Sequence, residues 1–472
     1  MLNKLNDCIK KLNYYKLEDV LISCFWRSRE LHNQINFKDN LFPWELETLV
    51  MLNIKAKHEL DNEKFLDKHF AQMINIIRKS TPGKNKNLGG DEYAKLTLSA
   101  IALQQFEYQE NKIIFLYRAN YIFSHELFKD EFIKEYGHDY MHYCVLIYCI
   151  YIVINSKELD YEVQYDLFTY IYLNEKNVFD KLSITLKQFQ DILDNCYSSV
   201  EDYYYGFCPL YSKPFLDLGK NLMIPLPHLL LRSVTTSMLF DFTKNDNERR
   251  RKLGTILEEY VYKLMDDSKI FSEIHKEKSF KTNQGTIRTR DVNALIDNKF
   301  LLIECKSHTP KLKLRSYSKE AYNKEVNDLA EYICIIYKDI IYTRSKYDEY
   351  NCFDTVDICT ASINDIYSLM LILDDSIIMR EDVYIEAAQR IGISQNEANY
   401  IWLATHIKIM GYYEFEKILL TKQNPIDYVI TLKPYDYTNS IKINEFVDNG
   451  FLTFNNELTN NIKNLLGKIF AS

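Results

Sequence analysis

Several signatures that would assign the 472-residue chain to a large protein class are missing. Its ten cysteines form no Cys-x-x-Cys pair and no cysteine–histidine cluster with zinc spacing, and no signal peptide is evident. We therefore expect reduced thiols in a cytoplasmic protein. The longest apolar run, 144–154, falls well short of the roughly 20 residues that span a bilayer, so it predicts a buried helix and no membrane association.

Glycine-dependent motifs are missing too. The segment Gly83-Lys84-Asn85 lacks both the upstream glycine and the hydroxyl residue after lysine that a phosphate-binding loop requires. Neither a Gly-x-Ser-x-Gly elbow nor the glycine triplet of a dinucleotide site occurs. An ATPase is therefore not indicated.

The chain also lacks the excess positive charge of a general nucleic-acid-binding protein, because its net charge is −8. The distribution is uneven: residues 244–324 hold 19 Lys and Arg against 12 Asp and Glu, which leaves −15 for the rest. One basic segment in an acidic protein suggests a local site for a polyanion. A solvated basic face is the plainer interpretation, and charge alone favours it.

Three regions differ in their hydrophobic patterns. Residues 1–200 repeat apolar positions every three or four residues, which predicts a helical regulatory or assembly domain. Residues 201–370 mix strand and helix patterns, which predicts an α/β core with a mixed sheet flanked by helices. Residues 371–472 predict a mainly helical C-terminal segment. The stretch 80–93, rich in Pro, Gly and Asn, predicts a loop.

The middle region is predicted to alternate strands and helices around one hairpin with a tight turn at Asp297-Asn298. The predicted elements are a short hairpin around Gly219, a helix at 248–265, strands at 286–296, 299–306 and 355–359, a helix at about 318–341, and a further helix from Asn364.

The end of the strand at 299–306 carries opposite charges on one face. Glu304 and Lys306 are two residues apart, so their side chains point the same way. Counting back across the turn brings Asp291 close to Glu304. Two carboxylates in contact repel each other, and a hard cation such as Mg²⁺, which binds carboxylates, carbonyls and water, removes that conflict.

This arrangement resembles a known nuclease motif. Asp291, twelve intervening residues and then Glu304-x-Lys306 is similar to the core of the PD-(D/E)xK restriction-endonuclease-like nuclease superfamily. That family places a helix with a glutamate ahead of the hairpin. The segment "GTILEEYV" (254–261) looks like this helix, and its pattern favours Glu258 as the family glutamate.

The resemblance implies a metal-dependent nuclease site over about residues 205–370. Asp291 and Glu304 would bind Mg²⁺, or Mn²⁺ in its place, and the backbone carbonyl of Cys305 would be a further ligand. Lys306 would orient or activate water or offset charge on the phosphate, and Glu258 would support the metal. These are the residues expected to carry catalysis.

Two positions depart from the family pattern. Arg290 stands where the family commonly has Pro, and the following helix offers Asp328 and Tyr332 where some exonuclease branches have Gln-x-x-x-Tyr. A second Glu-x-Lys occurs at 110–112, with Asp91 upstream. The segment between them has helical periodicity, so no hairpin brings the two together.

Two sets of histidines have alternative interpretations. His138 and His142 lie one helical turn apart, a spacing that metals use. No third ligand is evident, so roles in flanking and capping the buried helix are favoured. His308, just beyond Lys306, would either contact a phosphate or lie in a mobile loop.

The segment 384–420 has features of a helix-turn-helix. Ala388, Gly392 and Ile401 fall where that motif places a small residue, a tight turn and an apolar anchor. The amides that it would present to bases are Gln395, Asn396 and Asn399. Few Lys or Arg accompany them, so a plain helical hairpin packed on the α/β core is favoured.

These patterns together predict a Mg²⁺-dependent phosphodiesterase that acts on DNA, with RNA left open. The N-terminal region would restrain the enzyme, bind a protein partner or support a homo-oligomer. By analogy alone, the chain would be a bacterial defence or restriction-type effector. The competing class is a non-catalytic nucleic-acid-binding protein on a nuclease-like fold, which would hold its ligand with the basic face 244–324.

Overall fold

The computed structural model contains a helical region and an α/β region, as the patterns predict. It describes most of the chain. The described residues are 2–31, 41–60, 63–80, 90–105, 111–283, 285–308, 318–373, 380–395, 397–431 and 449–471.

The region 1–200 is helical, in agreement with its periodicity. The helices of the first 205 residues are α1 (Leu2–Leu12), α2 (Leu17–Leu31), α3 (Pro43–Lys55), α4 (Asp67–Lys79), α5 (Gly90–Gln105), α6 (Lys112–Ser124), α7 (Lys129–Tyr136), α8 (Tyr140–Asn155), α9 (Tyr161–Asn174), α10 (Lys176–Leu182), α11 (Leu186–Cys196) and α12 (Val200–Tyr205). A short strand, β1 (Ser183–Thr185), separates α10 from α11. Of the predicted loop at 80–93, residues 81–89 lie outside the described part of the chain.

The long apolar run forms the buried helix α8, as predicted, because both its flanks pack against other helices. Among the described residues no single helix is long and apolar enough to cross a membrane. The pair α7 and α8, bent by 55°, passes that test together on length and composition only.

The rest of the chain alternates strands and helices. Its strands are β2 (Phe215–Asp217), β3 (Leu222–Met223), β4 (Glu273–Lys276), β5 (Ser279–Thr282), β6 (Gly285–Arg288), β7 (Val292–Ile296), β8 (Lys299–Lys306), β9 (Ile366–Ile372) and β10 (Ile407–Gly411). Its helices are α13 (Leu230–Ser233), α14 (Thr236–Thr243), α15 (Asn247–Ser268), α16 (Lys319–Lys338), α17 (Arg344–Lys346), α18 (Arg380–Ile391), α19 (Ala398–His406), α20 (Tyr412–Leu420), α21 (Pro425–Thr431) and α22 (Asn449–Ala471). A π-helical turn, Asp339–Thr343, extends α16.

A five-stranded mixed sheet organises the α/β region, with the strand order β10–β9–β8–β7–β4. The strands β8, β9 and β10 are parallel, whereas β7 and β4 are antiparallel to their neighbours. The predicted hairpin of β7 and β8 is confirmed. Its turn residues Asp297 and Asn298 have φ of 50° and 60°, the left-handed pair that a type I′ turn requires.

Helices cover both faces of this sheet, as a sheet with parallel central strands requires. On one face Ile303 of β8 belongs to a core with α15 and α6; on the other, Leu302 belongs to a core with α16 and α18. Because side chains alternate along a strand, Glu304 and Lys306 are assigned to the α16 side. They lie at the carboxyl end of β8, the edge where α/β sheets commonly bind ligands.

Two strand predictions and one helix prediction need correction. Residues 355–359 form bends and turns instead of a strand, and the helix predicted from Asn364 is replaced by β9. Every residue of β9 is buried between β8 and β10, so its sequence is apolar on both faces and lacks the alternation that marks a half-exposed strand. The predicted strand 286–296 is two strands, β6 and β7, in different sheets.

The C-terminal region is mainly helical and also supplies a strand to the sheet, β10. Ile401, the apolar anchor in the less favoured helix-turn-helix interpretation, is 61% exposed. Trp402 and Leu403 face the core instead, one position further along α19. Of the predicted base-reading amides, Asn396 lies outside the described residues, and Gln395 and Asn399 are exposed.

One apolar core crosses the predicted domain boundary at residue 200. It contains Leu116 of α6, Ile147 of α8, Leu257 of α15 and Ile303 of β8, and it continues to Leu458 of α22. Helices of the first 200 residues therefore share a core with α15, and α15 contacts the sheet directly.

Candidate active site

A β-bulge lies at the base of the candidate site. The pairing of β4 with β7 and that of β5 with β6 are out of step by one residue. Residues 277–278 consequently oppose the three residues 289–291. One extra residue in a strand re-aims neighbouring side chains, and bulges are common beside active sites. Here the bulge allows two successive side chains, Arg290 and Asp291, to approach β8.

Glu304 is held between two cations. Its side chain is 14% exposed; Lys306 Nζ donates to its Oε1 at 2.5 Å and Arg290 Nη1 donates to its Oε2 at 2.7 Å. Both hydrogen bonds are charge-assisted, which makes them stronger than bonds between neutral groups. The predicted pair of Glu304 and Lys306 is therefore a real contact on one face of β8.

Arg290 is a member of the site that the sequence did not identify. Its side chain is 8% exposed, and its second nitrogen donates to Asp339 in the π-helical turn after α16. Burial alone would lower the pKa of Arg290, but Glu304 and then Tyr350 and Asp339 hold it above its usual value. The guanidinium therefore connects Glu304, at the end of β8, to Asp339, just after α16.

Asp291 is the carboxyl group with the most altered titration in the site. Burial, and then the negative charge of Glu304, raise the pKa of Asp291 to about 7. A hydrogen bond from the Cys305 N–H to its Oδ2 (2.6 Å) and the ammonium of Lys306 act in the opposite direction. Negative charge is therefore in excess at this strand end, a condition that favours a proton or a cation.

Glu258 belongs to the same electrostatic group. Burial and then Glu277 raise its pKa, Lys306 lowers it, and Glu304 raises it. The helix α15, which begins where Asp246 accepts the N–H groups of residues 248 and 249, carries Glu258 toward β8. Its neighbour Glu259 lies 3.1 Å from His125 instead. Choosing Glu258 over Glu259 from the helix pattern is consistent with this geometry.

The backbone and side chain of Cys305 have different surroundings. The thiol is buried in the apolar core that includes α15, whereas the N–H binds Asp291. The family resemblance implies a ligand role for the backbone carbonyl of Cys305 and none for its thiol.

Two side chains of α16 contact basic residues at and just beyond the C-terminal end of β8. Lys306 Nζ lies 4.7 Å from the ring centre of Tyr332, a cation–π distance. His308 Nε2 lies 2.6 Å from Glu325 Oε2, which is fully buried. Tyr332, noted only as a partial match to the family pattern, thus lies beside the candidate catalytic lysine.

Much of the basic segment 244–324 has structural partners. Arg249 pairs with Glu131 and Glu135 of α7, and Lys252 also contacts Glu131. Arg250 donates to backbone carbonyls at the end of α14. Among the described residues, four exposed basic side chains lie on or between β4, β5 and β6, at Lys276, Lys278, Lys281 and Arg288. Some of these also have partners: Lys278 donates to the Asn351 carbonyl, and Arg288 lies 3.5 Å from Glu277.

Among the described residues, two groups of three metal-ligating side chains lie close enough to share one ion. Neither group includes Asp291 or Glu304. They are His138–His142–Glu175 and Glu273–His275–Asp354, each with donor atoms within 4.8 Å of one another. Around Asp291 the carboxylates and their raised pKa values suit a hard divalent cation by donor chemistry. Glu304 would have to exchange one of its present cations for it.

The comparisons with known proteins give no family. No family model, no curated protein and no solved structure matches the chain.

Replacing Arg290 with Met should lower the free energy of unfolding by about 3–5 kcal/mol, because it leaves Glu304 and Asp339 buried without their shared cation. Urea denaturation measures the loss. Arg288→Met is the matched control: its side chain is 65% exposed on the neighbouring strand, so a change within about 0.5 kcal/mol is expected. Equal effects of the two substitutions would contradict a structural role for the Arg290 bridge.

Proposed function

We propose that the chain is a divalent-metal-dependent phosphodiesterase that acts on DNA, with its active site at the carboxyl end of β8. The observation that carries this proposal is the meeting of Asp291, Glu304 and Lys306 at one strand end, within electrostatic range of Glu258, where burial and mutual repulsion raise the pKa of Asp291 to about 7. The similarity to the PD-(D/E)xK superfamily motif points the same way, since these are the residues to which it assigns catalysis.

Asp291, Glu304 and the Cys305 carbonyl would hold the metal ion, with Glu258 as a supporting carboxylate. Mg²⁺ suits this set of oxygen donors, and Mn²⁺ can replace it. When bound, such an ion supplies Lewis-acid polarisation of a phosphoryl oxygen and lowers the pKa of bound water.

Lys306 acts as a positive charge rather than as a base. Burial would lower its pKa, but the adjacent Glu304 raises it above the usual value. The amine therefore stays protonated at neutral pH. An ammonium at this point can neutralise charge that develops on the phosphate in the transition state. The ring of Tyr332, 4.7 Å away, restricts the positions that this ammonium can take.

Arg290 positions Glu304. It bonds one carboxylate oxygen of Glu304 and the carboxylate of Asp339, so Glu304 keeps its place when Lys306 turns from it toward a phosphate. When Lys306 releases Glu304 Oε1, that oxygen would be free to bind the metal.

DNA is the substrate class that we favour, with RNA as a further arm of the test. The chain is acidic overall and has a few exposed basic residues on β4, β5 and β6. This distribution suits a polyanion that binds locally near the site, and it does not suit non-specific binding of nucleic acid over the whole surface. An enzyme of this kind needs restraint, which is why we keep the hypothesis of a restriction-type or defence effector.

A second candidate function is a non-catalytic nucleic-acid-binding protein. The observation that favours it is the saturation of Glu304, whose two oxygens are both bound by cations of the chain itself. In that case Arg290 and Lys306 would replace the metal permanently, and the site would be structural.

The experiment that separates the two functions is an incubation of the full-length chain with supercoiled plasmid, linear DNA and RNA. Each substrate is tested with Mg²⁺, with Mn²⁺ and with a chelator. We expect cleavage of DNA with either metal and none with chelator. Binding of nucleic acid that persists in chelator, with no cleavage under any condition, would establish the second function.

The Mg²⁺ requirement should depend on pH. Because Asp291 has a pKa of about 7, a proton competes with the metal below that pH. The Mg²⁺ concentration for half-maximal cleavage should therefore fall about tenfold per pH unit up to pH 7 and level off above it. Metal titrations of the cleavage rate between pH 5.5 and 8.5 measure this. A half-saturating concentration that does not change with pH would contradict the role given to Asp291.

A further inference from the structure

We propose that His138, His142 and Glu175 form a second metal site, which binds Zn²⁺ at the start of α8 and is independent of the candidate active site. The two histidines were recognisable as a pair one helical turn apart, but the pair lacked a third ligand. The structure brings Glu175, 33 residues beyond His142, to them.

The three donor groups lie within reach of one ion. Each residue offers one ligand atom, these three atoms lie within 4.8 Å of one another, and His142 Nε2 is 2.9 Å from Glu175 Oε2. Neighbouring donors of a tetrahedral Zn²⁺ are about 3.3 Å apart, given Zn–N and Zn–O bonds of about 2.0–2.1 Å. The rings of His138 and His142 are stacked at 4.3 Å between centres. Both are partly exposed, so they can turn apart as the ion enters.

The backbone around these ligands is held firmly. Gly137, with φ of 87°, ends α7 and turns the chain so that His138 precedes the next helix. Asp139 accepts the His142 N–H at 2.9 Å and so caps α8. The buried Tyr143 next to His142 donates its hydroxyl to the carbonyl of Tyr136. The ligand-bearing turn is therefore preorganised rather than a loose surface loop.

Glu175 sits at a fixed point between two helices. Its N–H donates to the Ile171 carbonyl at the end of α9, and its own carbonyl accepts the Val178 N–H at the start of α10. An ion shared by Glu175 and the two histidines would connect the α7–α8 turn to the α9–α10 junction. The site thus links two helical corners of the N-terminal region.

The ligand set selects the kind of metal. Two imidazole nitrogens and one carboxylate oxygen suit Zn²⁺ and its neighbours Co²⁺ and Ni²⁺, whereas Mg²⁺ and Ca²⁺ prefer oxygen ligands alone. Three protein ligands leave a fourth tetrahedral position for water. The proposed nuclease site has only oxygen ligands, so the two sites should differ in metal preference.

The other cluster, Glu273–His275–Asp354, differs because its glutamate already accepts several hydrogen bonds. Glu273 already accepts the N–H groups of Asp354 and Thr355 and the hydroxyl of Thr355. Burial opposes the effect, but these bonds, with Thr355 first, lower the pKa of Glu273 to about 2. Its oxygens serve to hold residues 354–355, in the loop before β9, against β4, so this cluster is a suitable control.

The test uses the full-length chain, stripped of metal with a chelator that is then removed. Zn²⁺ binding is measured by calorimetry, and Co²⁺ is added as a probe because its visible spectrum reports tetrahedral coordination. Excess Mg²⁺ is present, and the Asp291→Ala variant is titrated in parallel. We expect one Zn²⁺ per chain in both proteins, because the site doesn't depend on Asp291.

His142→Ala and Glu175→Gln should each weaken Zn²⁺ binding by more than the roughly 10–100-fold that loss of an outer hydrogen-bond partner costs. His275→Ala should leave it unchanged. Glu175→Gln preserves shape, so it keeps the test valid if His142→Ala fails to fold. No Zn²⁺ uptake by the wild-type chain, or equal uptake by His142→Ala and wild type, would show only an ion pair between His142 and Glu175 and would overturn the proposal.

Discussion

Lys306→Ala should reduce metal-dependent DNA cleavage by about 10²–10³-fold or more, because it removes the ammonium that would face the phosphate. Asp291→Ala and Glu304→Ala should abolish cleavage, since each removes a carboxylate from the proposed metal. The measurement is the initial rate of plasmid nicking at saturating Mg²⁺, with circular dichroism to confirm that each variant is folded. Glu304→Gln is a useful companion, because it keeps a hydrogen-bond acceptor for Arg290.

Matched controls are available on the same elements. Lys299→Ala removes a lysine from the opposite end of β8, where Nζ lies 5.8 Å from the ring centre of Tyr367, and should leave cleavage unchanged. On α15, Glu258→Ala should reduce cleavage, with an effect that depends on the metal, whereas Glu259→Ala should not. Full activity in Glu304→Ala would place the active site elsewhere.

A chain cut to residues 201–472 should fail to fold. Helices α6 and α8 pack in the same core as α15, which contacts the sheet, so the cut exposes the side chains that contact residues such as Leu116 and Ile147. Deleting one large core side chain costs about 2–5 kcal/mol. A folded domain is stable by only about 5–15 kcal/mol, so the loss of the core contacts of α6 and α8 exceeds the margin.

A buried ion pair adds to this dependence. Arg118 of α6 lies 3.4 Å from Glu416 of α20, and both side chains are almost fully buried. Tyr260 of α15 donates to the same carboxylate at 2.8 Å. Burial raises the pKa of Glu416 to about 7, while Arg118 and Tyr260 oppose that rise. Without Arg118 this carboxylate has lost its cation within the core.

Gel filtration and thermal unfolding followed by near-ultraviolet circular dichroism test the prediction for residues 201–472. The control is co-expression of residues 1–200 with residues 201–472, which should restore a folded complex because it restores the shared core. A monomeric 201–472 fragment with a cooperative unfolding transition would contradict the shared core. Such a fragment would instead support the hypothesis that the N-terminal region only restrains the enzyme.

The local part of the site was predictable from the sequence. A type I′ turn at Asp297-Asn298 sets the register of β7 and β8, and that register brings Asp291 beside Glu304. The helical periodicity of residues 1–200 and of α15 was equally clear. In each case residues close in sequence determine the geometry, so pattern and turn chemistry are sufficient.

The remainder depends on contacts between distant parts of the chain. Arg290 meets Asp339 across 49 positions, and His142 meets Glu175 across 33. No local signal marks either pair. The strand β9 escaped detection because burial on both faces removes the alternation that identifies strands. Hydrophobic periodicity likewise shows that α6 and α8 have an apolar face, but not that α15 packs on α6 and α22 packs on α8.

A crystal structure of the full-length chain soaked in Mn²⁺, with anomalous diffraction to locate the ion, tests most directly whether the end of β8 is a metal-dependent active site. We expect a peak bound by the carboxylates of Asp291 and Glu304 and by the Cys305 carbonyl, with Lys306 turned away from Glu304 and Arg290 still bound to it. Glu304 still held by both Arg290 and Lys306, with no anomalous peak beside Asp291, would contradict the claim that this strand end is a metal-dependent active site.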